Sequence, residues 1–116
     1  MGAWGTAAWE NDGAADWFGD TFEITGLAKH VEEALNRDPE EGDHEEIRAA
    51  AYLLVALGRV FIWPVADLDR HLALAISKLE AIRELEIYQE VPEFVEAIDQ
   101  EIEVLRSRLE PPSADA

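Results

Sequence analysis

The sequence predicts an all-α fold: a compact bundle of four or five helices with an irregular, tryptophan-containing strap at its N-terminal end. Three observations carry this. Apolar residues recur at three- and four-residue spacing through most of the 116 residues. No run of alternating β-branched residues and no Asn-Gly hairpin signal is present. Proline, glycine and aspartate punctuate the periodic stretches where helices would start and stop. The length suits a single domain over residues 1–110, with the tail "PPSADA" expected to be disordered over 111–116. A chain of this size buries about two thirds of its unfolded surface, so it folds without a metal or disulfide.

The first helix is expected to start after Asp12, whose carboxylate can accept from free N–H groups of the first turn, and to run to about Phe22. It would bury Ala15, Phe18 and Phe22 or the neighbouring Trp17, and Gly19 weakens it. A second helix begins near Thr25 as N-cap, with Ile24, Leu27, Ala28, Val31, Ala34 and Leu35 at helical spacing. The stretch "NRDPEEGD", Asn36 to Asp43, is a surface loop. A third helix starts at Asp43 with Glu46 three residues on, close to a capping box. Its stripe of Ile47, Ala50, Leu54, Gly58 and Phe61, widened by Ala51, Leu53, Leu57 and Val60, makes it apolar over most of its circumference, the mark of a central helix ending just before Pro64. A fourth helix is expected after Asp67 to about Glu86, facing the core with Leu68, Leu72, Ala75, Leu79 and Ile82. The last begins at Pro92, where Val91, Val95, Ile98, Ile102, Leu105 and Leu109 form a heptad-like seam for the bundle or for a second subunit. Short loops imply roughly antiparallel neighbours.

Twenty-six acidic residues against nine basic ones give a net charge of −17. This excludes phosphate-backbone binding, which needs Lys and Arg to displace counterions, and it disfavours anionic membranes. Plain solubility is the simplest use of such charge, and attraction of a basic partner the functional one. The longest apolar run, "AAAYLLVALGRVFIW", is shorter than a membrane span and carries Arg59. The N-terminus lacks the shape of a signal peptide, and cysteine is absent, so no thiolate chemistry is available. A cytoplasmic protein is expected. Arginine outnumbers lysine seven to two and alanine is abundant, which points to a GC-rich bacterial genome.

No catalytic, cofactor or metal signature stands out. Glu41 and His44 have the spacing of a Glu-x-x-His pair, but a di-iron bundle needs two such pairs and two further carboxylates from helix middles, and neither His30 nor His71 has an acidic residue three before it. His71 lies beside the fourth helix's apolar stripe and reads as a hydrogen-bonded boundary histidine. Glu96, Asp99 and Glu103 share one face of the last helix and form a candidate surface for a basic partner or a divalent cation; a solvated face is the plainer reading. "ENDGAAD" lacks the ligand spacing of a calcium loop. No phosphate loop or nucleophile elbow is visible.

Three of the four tryptophans fall in the first seventeen residues. Trp4 and Trp9 flank a Gly-containing segment that can be laid across the bundle, two large rings offsetting the entropy of ordering the strap. A stacking surface for a ligand is the alternative. The stretch "GAWGTAAWENDGAADW" resembles the N-terminal signature of a mainly bacterial family of unknown function, domain of unknown function family 4259. Its members typically begin Gly-Ala-Trp-Gly, followed by an aromatic, Asn-Asp, Ala and Asp-Trp. The matching positions are Gly2, Ala3, Trp4, Gly5, Trp9, Asn11, Asp12, Ala15, Asp16 and Trp17. The family more often has Phe at the position of Trp9 and Gly near Ala7. The resemblance covers these first seventeen residues and implies no activity, cofactor or catalytic residue.

The function expected from these observations is a non-enzymatic, acidic protein-binding module for a basic protein, of which an immunity-like or antitoxin-like inhibitor is one concrete form. The alternatives are a metal-dependent or carboxylate-based enzyme using His30, His44 or His71, and a homo-oligomeric structural protein, such as a homodimer through the Val91–Leu109 seam.

Overall fold

The computed structural model describes residues 4–109. Gly2, Ala3 and the tail 111–116 lie outside the described residues. The architecture is all-helical: α1 (Asp12–Thr25), α2 (Leu27–Leu35), α3 (His44–Leu57), α4 (Val65–Arg83), the single-turn α5 (Glu86–Gln89) and α6 (Pro92–Leu109), with a 3₁₀ turn at Pro39–Glu41. No described helix is long and apolar enough to cross a membrane.

The start of α1 corrects the expected cap. Asn11, in extended backbone, accepts from the Ala14 N–H at 2.8 Å, and Asp12 is the first helical residue. An amide oxygen one residue earlier reaches the third N–H, the usual capping geometry. The helix buries Phe22, half-buries Ala15 and Phe18 and leaves Trp17 exposed. It runs past Phe22 to Thr25 and ends on Gly26, whose left-handed φ of 64° suits glycine. That reversal moves the α2 start to Leu27, and Ile24 sits 83 % exposed at the end of α1 rather than in the α2 stripe. Thr25 still accepts from the Leu27 N–H, at 3.3 Å.

Asp43 precedes α3 but makes no side-chain cap bond, so the expected capping box is not formed. The helix ends at Leu57, not at Pro64, and Gly58, Val60 and Phe61 belong to the following turn. Nor is α3 the central helix: α4 packs against α2, α3, α5 and α6. Seven α4 side chains are buried against four on α3. α4 starts at Val65, two residues before Asp67, with Pro64 as its N-cap, and stops at Arg83, where the unexpected α5 turns the chain toward α6.

The middle of the Val91–Leu109 seam is spent inside the chain, while Val91 stays 37 % exposed. Ile98, Ile102 and Leu105 are buried, and α6 lies along α4 and α3. Leu35, Leu54, Leu72, Leu79, Ile82 and Leu105 are all shielded from solvent. Each contributes about 1.5–3 kcal/mol relative to exposure. The tryptophan of the core is Trp63, its ring 5.0 Å from Phe22. This contact anchors α1, which among the helices packs only against α2.

Candidate functional site

Residues 4–11 hold themselves together. The Trp4 N–H donates to the Glu10 carbonyl at 2.7 Å, and the Glu10 N–H to the Ala7 carbonyl at 3.0 Å. The Glu10 carboxylate turns back to accept from the Ala7 N–H at 2.9 Å. A Cβ at Gly5 would stand 2.3 Å from that carboxylate, so glycine leaves room for it to fold back here.

The strap meets the turn between α3 and α4. Arg59 lies 4.6 Å over the Trp9 ring, and the Trp4 and Phe61 rings are 4.6 Å apart. Phe61 has a φ of 77°, a costly conformation for a bulky residue. Arg108 reaches across from α6 and donates to the carbonyls of Leu54, Val55 and Gly58 at 3.1, 2.8 and 3.3 Å. It thus satisfies the exposed end of α3, which lacks a left-handed cap. Burial and the charge of Arg59 together hold its guanidinium below the ordinary arginine pKa. Trp4, Trp9, Glu10, Arg59, Phe61 and Arg108 line a cavity of about 300 Å³. Packing accounts for Trp9, which is half-buried against the core, but Trp4 remains 46 % exposed.

A second feature is the outer face of α1. Asp12, Asp16, Asp20 and Glu23 are all exposed and stand at spacings of four, four and three, which places them on one stripe. Trp17 and Ile24, seven residues apart and 62 and 83 % exposed, run beside it. The helix contains no Lys or Arg, and among the described residues none of the four carboxylates is in an ion pair.

The three histidines are not brought together. His71 is fully buried, not at the boundary; its Nδ1 accepts from the Trp63 indole and its Nε2 is 2.9 Å from Glu32. Glu32 also pairs with Arg70 at 2.7 Å. Arg70 first and His71 second hold the Glu32 carboxyl at about 2, below its ordinary 4.5. His44 Nδ1 is 2.9 Å from the Tyr88 hydroxyl, and burial pushes the Tyr88 pKa up. His30 is exposed on α2, and Glu41 lies in the 3₁₀ turn. Among the described residues, no group of three or more His, Asp or Glu side chains could hold a metal ion.

The candidate surface on α6 carries cations as well as acids. Arg83 binds Asp99 through two contacts, one of 3.0 Å, and holds its carboxyl below the usual range. Arg106 pairs with Glu80, and Glu103 lines the same α4–α6 groove. Glu96 is exposed. A further shallow groove joins Tyr52, Tyr88 and Phe94 around the Arg48–Glu101 pair.

Arg59, Phe61 and Arg108 were not legible as site residues. No local pattern links Arg59 to Trp9 or Arg108 to α3. The α1 stripe did have a signal: an acidic residue on every turn of a helix without a single cation. Asn11, Gly5 and Ala15 of the N-terminal signature have packing or capping roles, whereas Asp12, Asp16 and Trp17 face solvent.

No curated protein and no solved structure matches the chain significantly. A family model does match, over residues 2–113, and so extends the N-terminal likeness through the whole helical bundle. The chain belongs to that family, described as Domain of unknown function (DUF4259).

Proposed function

We propose that this protein is a non-enzymatic binding module that holds a basic segment of another protein on the outer face of α1. The observation that carries the reading is the unpaired stripe of Asp12, Asp16, Asp20 and Glu23 beside exposed Trp17 and Ile24. Fourteen residues of helix give a face about 20 Å long. Acidic groups steer and orient a cationic partner, and an exposed tryptophan beside an isoleucine supplies the apolar anchor that fixes it. A second copy of the chain is a poor occupant, because it would bring the same carboxylates and a charge of −17 against this face. Inhibition of a basic toxin, as immunity proteins and antitoxins do, is one form of this activity. The α6 surface is a weaker docking face, since Arg83 already pairs with Asp99 and Arg106 places a further cation beside the row.

The test is affinity capture from the source organism's lysate at about 50 mM and about 500 mM NaCl, where screening differs several-fold. Wild type, an Asp16→Lys/Asp20→Lys variant and Trp17→Ser are compared. A basic protein held by wild type at low salt, and lost at high salt and by both variants, supports the reading. Equal retention by the charge-reversed variant, or no specific prey, overturns it.

A further inference from the structure

The cavity beneath the strap contains a cation that no described carboxylate answers. Arg48, Arg70, Arg83 and Arg106 are engaged in ion pairs, and Arg108 is committed to three backbone carbonyls. Among the described residues Arg59 has no ion-pair partner and makes no side-chain hydrogen bond; its contact is the Trp9 ring, 4.6 Å away. Stacking on an aromatic face fixes a guanidinium while leaving its in-plane N–H donors available, the geometry that receives a carboxylate through two parallel bonds. The opposite wall is aromatic. Trp4 and Phe61 pack on each other yet are 46 and 52 % exposed, and the left-handed Phe61 backbone holds its ring at this mouth. Backbone in that region persists only where the surroundings over-determine it, and it clusters at ligand-binding sites.

We propose that this cavity binds a small aromatic monocarboxylate, its carboxylate on the Arg59 guanidinium and its ring against Trp4 and Phe61. The volume of about 300 Å³ is at the lower end of small-molecule sites, which suits a single ring with a short acidic arm. The Glu10 carboxylate lines the same cavity and repels a second acidic group, so dianions are disfavoured. Neighbouring Arg108 strengthens the local positive potential against the negative field of the whole chain. This site is distinct from the α1 face and stands or falls without it.

The experiment is a titration of the full chain followed by ligand-observed NMR and by tryptophan fluorescence. The probes are phenylacetate, its neutral isostere phenylacetamide, the dianion phenylmalonate and inorganic phosphate. Phenylacetate is expected to bind with a Kd of about 1 mM or tighter, and the amide, the dianion and phosphate at least about tenfold more weakly. Arg59→Gln, with melting temperature checked, is expected to lose the same factor for phenylacetate, whereas Lys29→Gln, which removes an exposed charge on α2, leaves it unchanged. If the Gln variant does not fold, Arg59→Lys is used, and several-fold weakening is expected because lysine cannot form the two-point contact. No binding of phenylacetate at about 10 mM, equal binding of the amide, or affinity unaffected by substitution of Arg59 overturns the proposal.

Discussion

The Trp63 indole N–H donates to Nδ1 of His71 across 3.0 Å, deep in the core. An indole N–H can only donate, so Nδ1 is the accepting nitrogen. The ring proton therefore sits on Nε2, where it is donated to Glu32 at 2.9 Å. Arg70 closes the chain from outside by binding both Glu32 and Asp67. A buried donor, a fixed tautomer and a surface ion pair thus form one relay joining the α3–α4 turn, α4 and α2. Both ring nitrogens of His71 are thus engaged within the fold.

Breaking this relay is expected to be costly. His71→Leu leaves the Trp63 N–H buried without an acceptor, at about 1–3 kcal/mol, and removes the buried partner of Glu32. Trp63→Phe removes the donor itself, so the double variant should lose less than the sum of the two singles. Urea unfolding of the four proteins measures the coupling. Strict additivity would show that the two side chains do not depend on each other.

The same relay sets an acid limit. Glu32 titrates at about 2 in the folded protein against 4.5 without its partners, with the Arg70 hydrogen bond as the larger cause and His71 next. A depressed carboxyl contributes stability that is complete above 4.5 and lost as pH falls toward 2, because the unfolded chain takes up the proton first. Protonation of the many other carboxylates relieves self-repulsion over the same range, so the informative quantity is a difference. Wild type minus Glu32→Gln in unfolding free energy should shrink steadily from pH 5 to pH 2. A difference that stays constant over this window would dissociate Glu32 from acid sensitivity.

Nearer the start of the chain, Asn11 rather than Asp12 closes α1. Asn11→Ala should cost about 1 kcal/mol, since the Ala14 N–H loses its acceptor. Asp12→Ala should cost only a few tenths, the share of an exposed acid near the positive end of the helix. Equilibrium unfolding followed by circular dichroism separates the two. A larger loss for Asp12 would mean that its carboxylate, and not the Asn11 amide, serves the first turn.

Sequence and structure agree where a stripe of spacing three and four is packed against neighbouring helices. α6 shows this: Ile98, Ile102 and Leu105 were read from periodicity and are buried. They part where a distant residue decides the outcome. The periodic apolar run continues through Val60 and Phe61, yet α3 stops at Leu57. Its last carbonyls are taken by Arg108, fifty residues from Gly58. A Cβ at position 58 would stand 2.5 Å from the Leu54 carbonyl, so this close turn also depends on glycine. Ile24 had the spacing of a core residue, but the left-handed Gly26 separates it from α2 and leaves it in solvent. The acidic row on α6 was legible as a row. The pairing of its Asp99 with Arg83 was not, because pairing across two helices depends on their register. The aromatic–arginine cavity needs the strap, the α3–α4 turn and the end of α6 at one point, and no local pattern records that meeting.

The left-handed backbone of Phe61 offers the last and most specific check of that meeting point. A non-glycine residue in this region carries about 1–2 kcal/mol of strain, which glycine escapes. Phe61→Gly relieves the strain but forfeits the ring contact with Trp4, about 0.5–1.5 kcal/mol, and gains unfolded-state entropy of about 0.5–1 kcal/mol. The half-buried ring's own burial is lost as well, so the Gly variant should be less stable than wild type by about 1–2 kcal/mol. Phe61→Ala loses the same ring and keeps the strain. It should therefore be the less stable of the two, reversing the usual preference for alanine over glycine. Thermal or urea unfolding of the pair decides it. An Ala variant as stable as the Gly variant, or more so, would mean that the turn relaxes out of the left-handed region once the ring is gone, and that the Trp4–Phe61 contact, not the chain around it, holds the backbone there.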